Sequence, residues 1–260
     1  MQNDSAECVL SLKSLCYSYG GDNVVNDLSF DVLRGQKLCI LGPNGSGKTT
    51  LLRALAGIIS YRGSAKLMGR EIKSYSRKEL SQNIAMFSQL SQVYFGYTVY
   101  DTVAMGRYVR RKSVFSPAAD DSAQVMKYID KLGLREIMHK PVTELSGGQL
   151  QRVLLARTFA QEPSVILLDE PLNHLDISYQ ATLVKLINEW AEQKSQEKTV
   201  IGVIHELNFC PMLFERAILI DGGKIAADGD ICEVLKSSTL ARVYNADVAG
   251  FMRKSLEFWG

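Results

Sequence analysis

Residues 42–49 read Gly42-Pro43-Asn44-Gly45-Ser46-Gly47-Lys48-Thr49 and fill every required position of the Gly-x-x-x-x-Gly-Lys-Ser/Thr phosphate loop. Before them, Leu38 to Leu41 is a short apolar run that reads as a buried strand; after them, Leu51, Leu52 and Leu55 recur at helical spacing. The motif therefore sits between a strand and a helix, where its chemistry needs it. Glycines 42, 45 and 47 open backbone conformations closed to other residues, so that successive N–H groups converge on one anion. The helix start adds unpaired amides and a positive dipole end, Lys48 adds a full charge near the β- and γ-phosphates, and the Thr49 hydroxyl suits a Mg2+ ligand. A plain glycine-rich turn would not demand every position at once.

Further along, Val165 to Leu168 is a continuous apolar run, as in a strand buried on both faces, and it ends in Asp169-Glu170. Asp169 is placed to hold the Mg2+ that bridges the phosphates, and Glu170 to polarise an attacking water as general base. Paired carboxylates at a strand end also occur at ordinary turns; the phosphate loop gives this pair its meaning. Leu145-Ser146-Gly147-Gly148-Gln149 opens the helix Leu150 to Ala160 and reads as a second anion cradle, with Ser146 and Gln149 at capping-box spacing. A helix cap and nothing more is the plainer alternative. The chain holds a single Lys-Thr-Asp-Glu set, and a two-fold dimer reconciles the two readings by placing the cradle of one copy over the nucleotide of the other.

With 260 residues, 46% hydrophobic and 22% charged, the sequence is that of a soluble globular protein, not a disordered one. A formal net charge of +2 and the lack of a long Lys/Arg block mean that nothing calls for nucleic acid or an anionic membrane surface. Arg107, Arg110, Arg111 and Lys112 form a small basic cluster, read as a solvated face or loop. The five cysteines, Cys8, Cys16, Cys39, Cys210 and Cys232, lack Cys-x-x-Cys spacing and read as reduced apolar residues of a cytosolic protein, with no transition-metal site assigned. No N-terminal signal pattern is visible, and no apolar run approaches the roughly 20 residues that cross a bilayer. If the function concerns a membrane, another chain supplies the spans.

Val9 to Leu33 alternates as two antiparallel strands around a Gly20-Gly21-Asp22-Asn23 turn, and Gly63 to Ile72 reads as a short hairpin. Ile84 to Phe87 is a brief strand. The stretch from Leu90 to Gln161 is mostly helical: Ser116-Pro117 opens a helix with Ala119, Ala123, Met126, Ile129 and Leu132 on its apolar face. Tyr94, Phe95, Tyr97 and Tyr100 read as its packing. Thr199 to Ile204 is another buried strand, Ala217 to Ala227 a closing hairpin, and the tail from Asp230 is helical and peripheral.

The phosphate loop, Gln89 after a strand, Leu145 to Gln149, Val165 to Glu170, Asn173-His174-Leu175-Asp176 and His205 after the next strand occur in the order of the ATP-binding-cassette ATPases, which the chain resembles over nearly its whole length. The resemblance implies one cassette domain spanning 1–260: an α/β phosphate-loop core, 1–89 and 162–260, with an antiparallel β subdomain, and an inserted α-helical subdomain at 90–161. It implies ATP and Mg2+ as cofactors. ATP is held by Tyr19 stacked on adenine, with Tyr17 as the alternative, by Gly42, Pro43, Asn44, Gly45, Ser46, Gly47, Lys48, Thr49 and Thr50, by Ser146, Gly147, Gly148 and Gln149, and by Asp176 in the loop linking two sites. Mg2+ is held by Thr49, Gln89 and Asp169. Glu170, His205, Gln89 and Lys48 are the catalytic set. Leu172 departs from the family, which more often has a small polar residue after Glu-Pro.

Thr98 to Val103, Gly106-Arg107-Tyr108 and the ending Leu240-Ala241-Arg242-Val243-Tyr244 look like the importer ATPases for iron-siderophore, haem and cobalamin compounds, although Val109 and Arg110 stand where those importers often carry Pro-His. The resemblance implies a homodimer on the cytoplasmic face of the membrane, bound to permease subunits and through them to a periplasmic or surface cargo-binding protein. A groove beside the Gln89 loop would receive a permease helix, with Tyr94 to Tyr108 as its docking surface and Arg107 exposed on it. The rivals are a nucleic-acid-associated cassette ATPase and a phosphate-loop kinase.

Overall fold

The computed structural model describes residues 7–88, 96–111, 119–193 and 198–257. Along the chain run β1 (Cys8–Ser18), β2 (Asn23–Leu33), β3 (Lys37–Leu41), α1 (Lys48–Leu55), β4 (Arg62–Leu67), β5 (Arg70–Glu71), α2 (Arg77–Asn83), β6 (Ile84–Ser88), α3 (Val99–Ala104) and α4 (Ala119–Lys131). They are followed by α5 (Gly147–Ala160), β7 (Val165–Asp169), α6 (Ile177–Ala191), β8 (Thr199–Val203), α7 (Cys210–Leu213), β9 (Arg216–Asp221), β10 (Lys224–Asp230), α8 (Ile231–Lys236), α9 (Ser238–Tyr244) and α10 (Val248–Glu257). These elements form two compact units, one of Met1–Tyr75 with Thr199–Gly260, the other Ser76–Lys198.

In the first unit, β1 pairs antiparallel with β2 on one edge and β4 on the other. Leu28, Phe30 and Val32 of β2 are buried while Asp27, Ser29 and Asp31 face outward, the period of a strand with one wet face. The parallel part follows the opposite rule. β3 lies parallel to both β8 and β9, and Leu38 to Leu41 and all of β8 are buried, which is why these strands are continuous apolar runs. β10 closes this sheet by pairing antiparallel with β9. The expected combination of an α/β core and antiparallel strands is thus the one observed.

In the second unit, β6 and β7 pair parallel from Ile84↔Val165 to Ser88↔Asp169. Tyr128 of α4, Phe159 of α5 and Trp190 of α6 form its aromatic centre, with successive ring centroids 5.9 Å apart. The expected face of α4 holds towards its end, where Ile129 and, one residue past the helix, Leu132 are buried; earlier in the helix Val125 and Tyr128 are buried instead, with Ala123 exposed and Met126 only half-buried. Ser116, Pro117, Tyr94 and Phe95 lie outside the described residues. Tyr97 and Tyr108 are exposed, so these two rings are not core packing.

In the basic cluster Arg110 is exposed as expected and Lys112 lies outside the described residues, but Arg107 is corrected. Arg107 is 5% exposed, bonded to Asp121 at 2.9 Å and to the Ala160 carbonyl at 2.8 Å. Arg111 meets the other Asp121 oxygen at 3.2 Å, and Arg110 donates to the carbonyls of Gln82, Gln161 and Glu162. Arg107 is an internal tie, because its guanidinium finds a carboxylate and a helix-end carbonyl from distant parts of the chain.

Candidate functional site

In the first unit the chain leaves β3 at Leu41 and enters α1 at Lys48. Gly47 is the N-cap at φ 99, in the left-handed region, and a Cβ there would stand 2.5 Å from the Val24 carbonyl oxygen of β2. A serine or aspartate cap is therefore sterically barred. The start of α1 carries no side-chain cap and no acidic residue in its first turn, so its dipole end keeps its full attraction for an anion. Lys48 donates to the carbonyls of Gly42 and Pro43 at 2.7 and 2.8 Å, which anchors its ammonium across the loop. Ser46 Oγ is buried with no hydrogen-bond partner, a condition that costs about 1–3 kcal/mol and that a phosphate oxygen would relieve. The residues present fit a bound phosphate.

Tyr19 is 62% exposed, with its hydroxyl 3.4 Å from Thr50 Oγ1 and its ring edge-on to Tyr17 at 4.8 Å. Tyr17 instead lines a hollow of about 450 Å3 with Tyr61 and Arg62. Of the two candidate rings, Tyr19 is the one beside the loop. His205 is exposed just past the end of β8. Sequence reasoning missed one contact here: the Gly42 N–H donates to the hydroxyl of Tyr244 at 3.1 Å.

In the second unit, Asp169 is the buried last residue of β7. Glu170 follows at φ 53, a left-handed conformation uncommon outside glycine, and accepts a hydrogen bond from Asn173 Nδ2 at 2.5 Å. Leu172, the departure from the family pattern, is fully buried, and its carbonyl accepts from Gln180 Nε2 at 3.2 Å; an apolar residue plugs the loop. Gln151, buried on α5, donates to the Pro171 carbonyl at 2.9 Å and so ties that helix to the loop carrying Glu170. Nothing in the spacing of the sequence marked it. Asp176 caps α6, and the Ser178 hydroxyl and Tyr179 N–H hold its carboxyl below the usual range.

The start of α5 shows the expected capping box: Ser146 Oγ accepts from Gln149 N–H at 3.3 Å and Gln149 Oε1 accepts from Ser146 N–H at 3.0 Å. The same box opens α2 and α3, but there Glu79 and Asp101 close it. In α5 the neutral Gln149 leaves the helix dipole uncancelled. Gly147 has open space where a side chain would be, and a Cβ on Gly148 would meet the His174 carbonyl oxygen at 3.4 Å. Gln89 lies outside the described residues. Among the described residues, no three His, Cys, Asp or Glu side chains gather as a metal cluster, and no helix is long and apolar enough to cross a membrane.

Residues 25–173 match the ABC transporter family. The chain is 34% identical over 248 residues to an uncharacterized ABC transporter ATP-binding protein of Bacillus subtilis, covering 95% of this chain and 56% of that one. It therefore spans little more than half of that relative. It is 32% identical over 240 residues to the iron(3+)-hydroxamate import ATP-binding protein of Bacillus subtilis, covering 92% of this chain and 88% of the relative. A solved ABC transporter, described as of metal-chelate type and in an inward-facing conformation, superposes with a TM-score of 0.75 at 30% identity, over 92% of this chain and 89% of that one.

Proposed function

The chain belongs to the ABC transporter family, and from that premise we propose that it is the ATP-hydrolysing subunit of an importer for a metal chelate such as an iron-siderophore, haem or cobalamin compound. The observation that carries the reading is the start of α1, bare of a side-chain cap and of acidic residues, next in sequence to a buried, unpartnered Ser46 hydroxyl, in a chain whose relatives include import ATP-binding proteins.

When bound, ATP supplies the phosphoryl group and Mg2+ the countercharge. The loop amides and Lys48 would hold phosphate charge, Thr49, Gln89 and Asp169 would hold the metal ion, and Tyr19 would support the adenine. Glu170 takes a proton from the attacking water, while His205 and Gln89 respond to the γ-phosphate. The start of α5, from Ser146 to Gln149, serves the nucleotide of a second copy, with Asp176 in the loop joining the two sites. Capping uses the Ser146 hydroxyl as an acceptor and leaves its O–H to donate.

The homodimer works at the cytoplasmic face of the membrane, docked on permease subunits and reaching a cargo-binding protein only through them. Exposed Tyr97 and Tyr108 suit such docking better than Arg107, which is buried. The test is recovery of the chain from its native membrane, compared with its binding to DNA and RNA across a salt series. A copurifying permease is the expected result. Tight nucleic-acid binding that weakens steeply with salt, with no permease recovered, would overturn the reading.

A further inference from the structure

Tyr244 is the last residue of α9, a short helix that Ser237 caps at one end and Asn245, at φ 51, stops at the other. Leu240 anchors the helix in the first unit with 1% exposure. The Tyr244 hydroxyl reaches the N–H of Gly42, 3.1 Å away, at the point where the chain leaves β3 for the phosphate loop. Gly42 is held from another direction as well: at φ 149, a Cβ on it would stand 2.3 Å from the Ile220 carbonyl oxygen of β9. Its own carbonyl accepts from Lys48 Nζ at 2.7 Å. A tail helix, the first loop residue and the loop lysine are thus linked in one chain of hydrogen bonds. Burial pushes the Tyr244 phenol up, which keeps it neutral.

We propose that Tyr244 is a positioning residue for nucleotide binding: its phenol oxygen holds the Gly42 N–H and fixes the loop conformation in which the Gly42 carbonyl receives Lys48. The tail thereby sets the affinity of the loop. This inference rests on the loop being a nucleotide cradle. Without the phenol oxygen, the Leu41–Gly42 peptide loses one of its restraints, and more of the ordering of the loop falls to the ligand at the expense of affinity.

The test compares Tyr244→Phe with Leu240→Val in the full-length chain, using fluorescent ATP and ADP analogues for affinity and thermal melting for stability. Leu240→Val loosens α9 without touching the phenol. Tyr244→Phe is expected to weaken both analogues about 5- to 10-fold, the effect of one hydrogen bond that orders a loop. The KM for ATP should rise by a similar factor with kcat little changed, as when uniform binding is removed. Leu240→Val should melt at least as early yet bind within about twofold of wild type. Unchanged affinity in Tyr244→Phe, or equal weakening in Leu240→Val, would overturn the proposal while leaving the nucleotide reading intact. Failure of the wild-type chain to bind either analogue would overturn the nucleotide reading, and this inference with it.

Discussion

Helix α1 begins at Gly47 with no side chain over its first amides, whereas α5 begins at Ser146 inside a reciprocal box with Gln149. The first start has no side-chain cap and, just before it in the chain, a buried serine hydroxyl without a partner. The second satisfies two of its amides from its own sequence and is stable with nothing bound. A helix start left bare is one prepared for a ligand of its own. A capped start can serve a ligand only if that ligand is brought to it, which is what a second copy would do. The contrast extends beyond the two helices. In the second unit Arg107 is matched internally by Asp121 and Lys198 by Glu162 and the Pro163 carbonyl, while Glu170 stands at a positive φ, as do Glu162 and His174.

The largest expected effect comes from stopping hydrolysis without touching either helix start. Glu170→Gln keeps the shape but removes the base, so steady-state phosphate release should fall about 10²–10⁴-fold while ATP binding persists. Dimers should then accumulate with ATP on size-exclusion chromatography, and near-normal turnover would remove Glu170 from its role. Arg107→Glu probes the internal matching of the second unit. It places two carboxylates together in a site where wild type has a pair only 6% and 8% exposed, and it should cost about 3–5 kcal/mol in denaturant unfolding. A loss below 1 kcal/mol would mean that Arg107 is a surface residue after all.

Ser146→Ala sharpens the comparison from the capped side. It should cost about 1 kcal/mol in the same unfolding measurement, as a lost N-cap does. ATP-driven dimerisation should weaken as well; dimerisation at wild-type strength would reduce Ser146 to a cap alone. The smallest effect concerns Lys198, whose ammonium burial pushes down to about 8, with Arg110 and Lys127 acting in the same direction against Glu162. Between pH 8 and about 10.5 the unfolded chain binds this proton more readily than the folded one, so the contribution of Lys198 to stability rises with pH across that window. Below pH 8 its full burial cost is present. Wild type should therefore gain stability relative to Lys198→Met as the pH rises from 8 to 10.5, and parallel stability curves for the two proteins would exclude the shift.

What the sequence made legible is what local pattern carries. Continuous apolar runs marked β3, β7 and β8, alternation marked β2, and the phosphate loop announced itself because its chemistry is contained in consecutive residues. Contacts between distant positions were not legible. Arg107 looks like a solvated charge until Asp121 and the Ala160 carbonyl are brought to it. The inward face of α4 was legible at Ile129 and Leu132 but not earlier in the helix, where Val125 and Tyr128 take the places expected of Ala123 and Met126 and Tyr128 packs on the neighbouring Phe159. The tail gave no hint that Tyr244 reaches Gly42, since one phenol among many carries no spacing signal. Ser146 and Gln149 were legible as a cap, but the weight of a glutamine in place of Glu79 or Asp101 emerged only beside the other two boxes.

The central claim, that the bare and the capped helix starts of two copies together serve one nucleotide, is tested most directly by mixing two inactive subunits. One carries Lys48→Ala and lacks a working loop; the other carries Gly148→Asp, which puts a carboxylate beside the His174 carbonyl oxygen and at the positive end of α5. Each parent alone should be nearly inactive, and the Gly148→Asp subunit should still bind ATP. Mixed dimers hold one complete site, the loop of the second subunit with the cradle of the first, and should show ATPase activity clearly above either parent. Mixed dimers no more active than their parents would contradict the shared site.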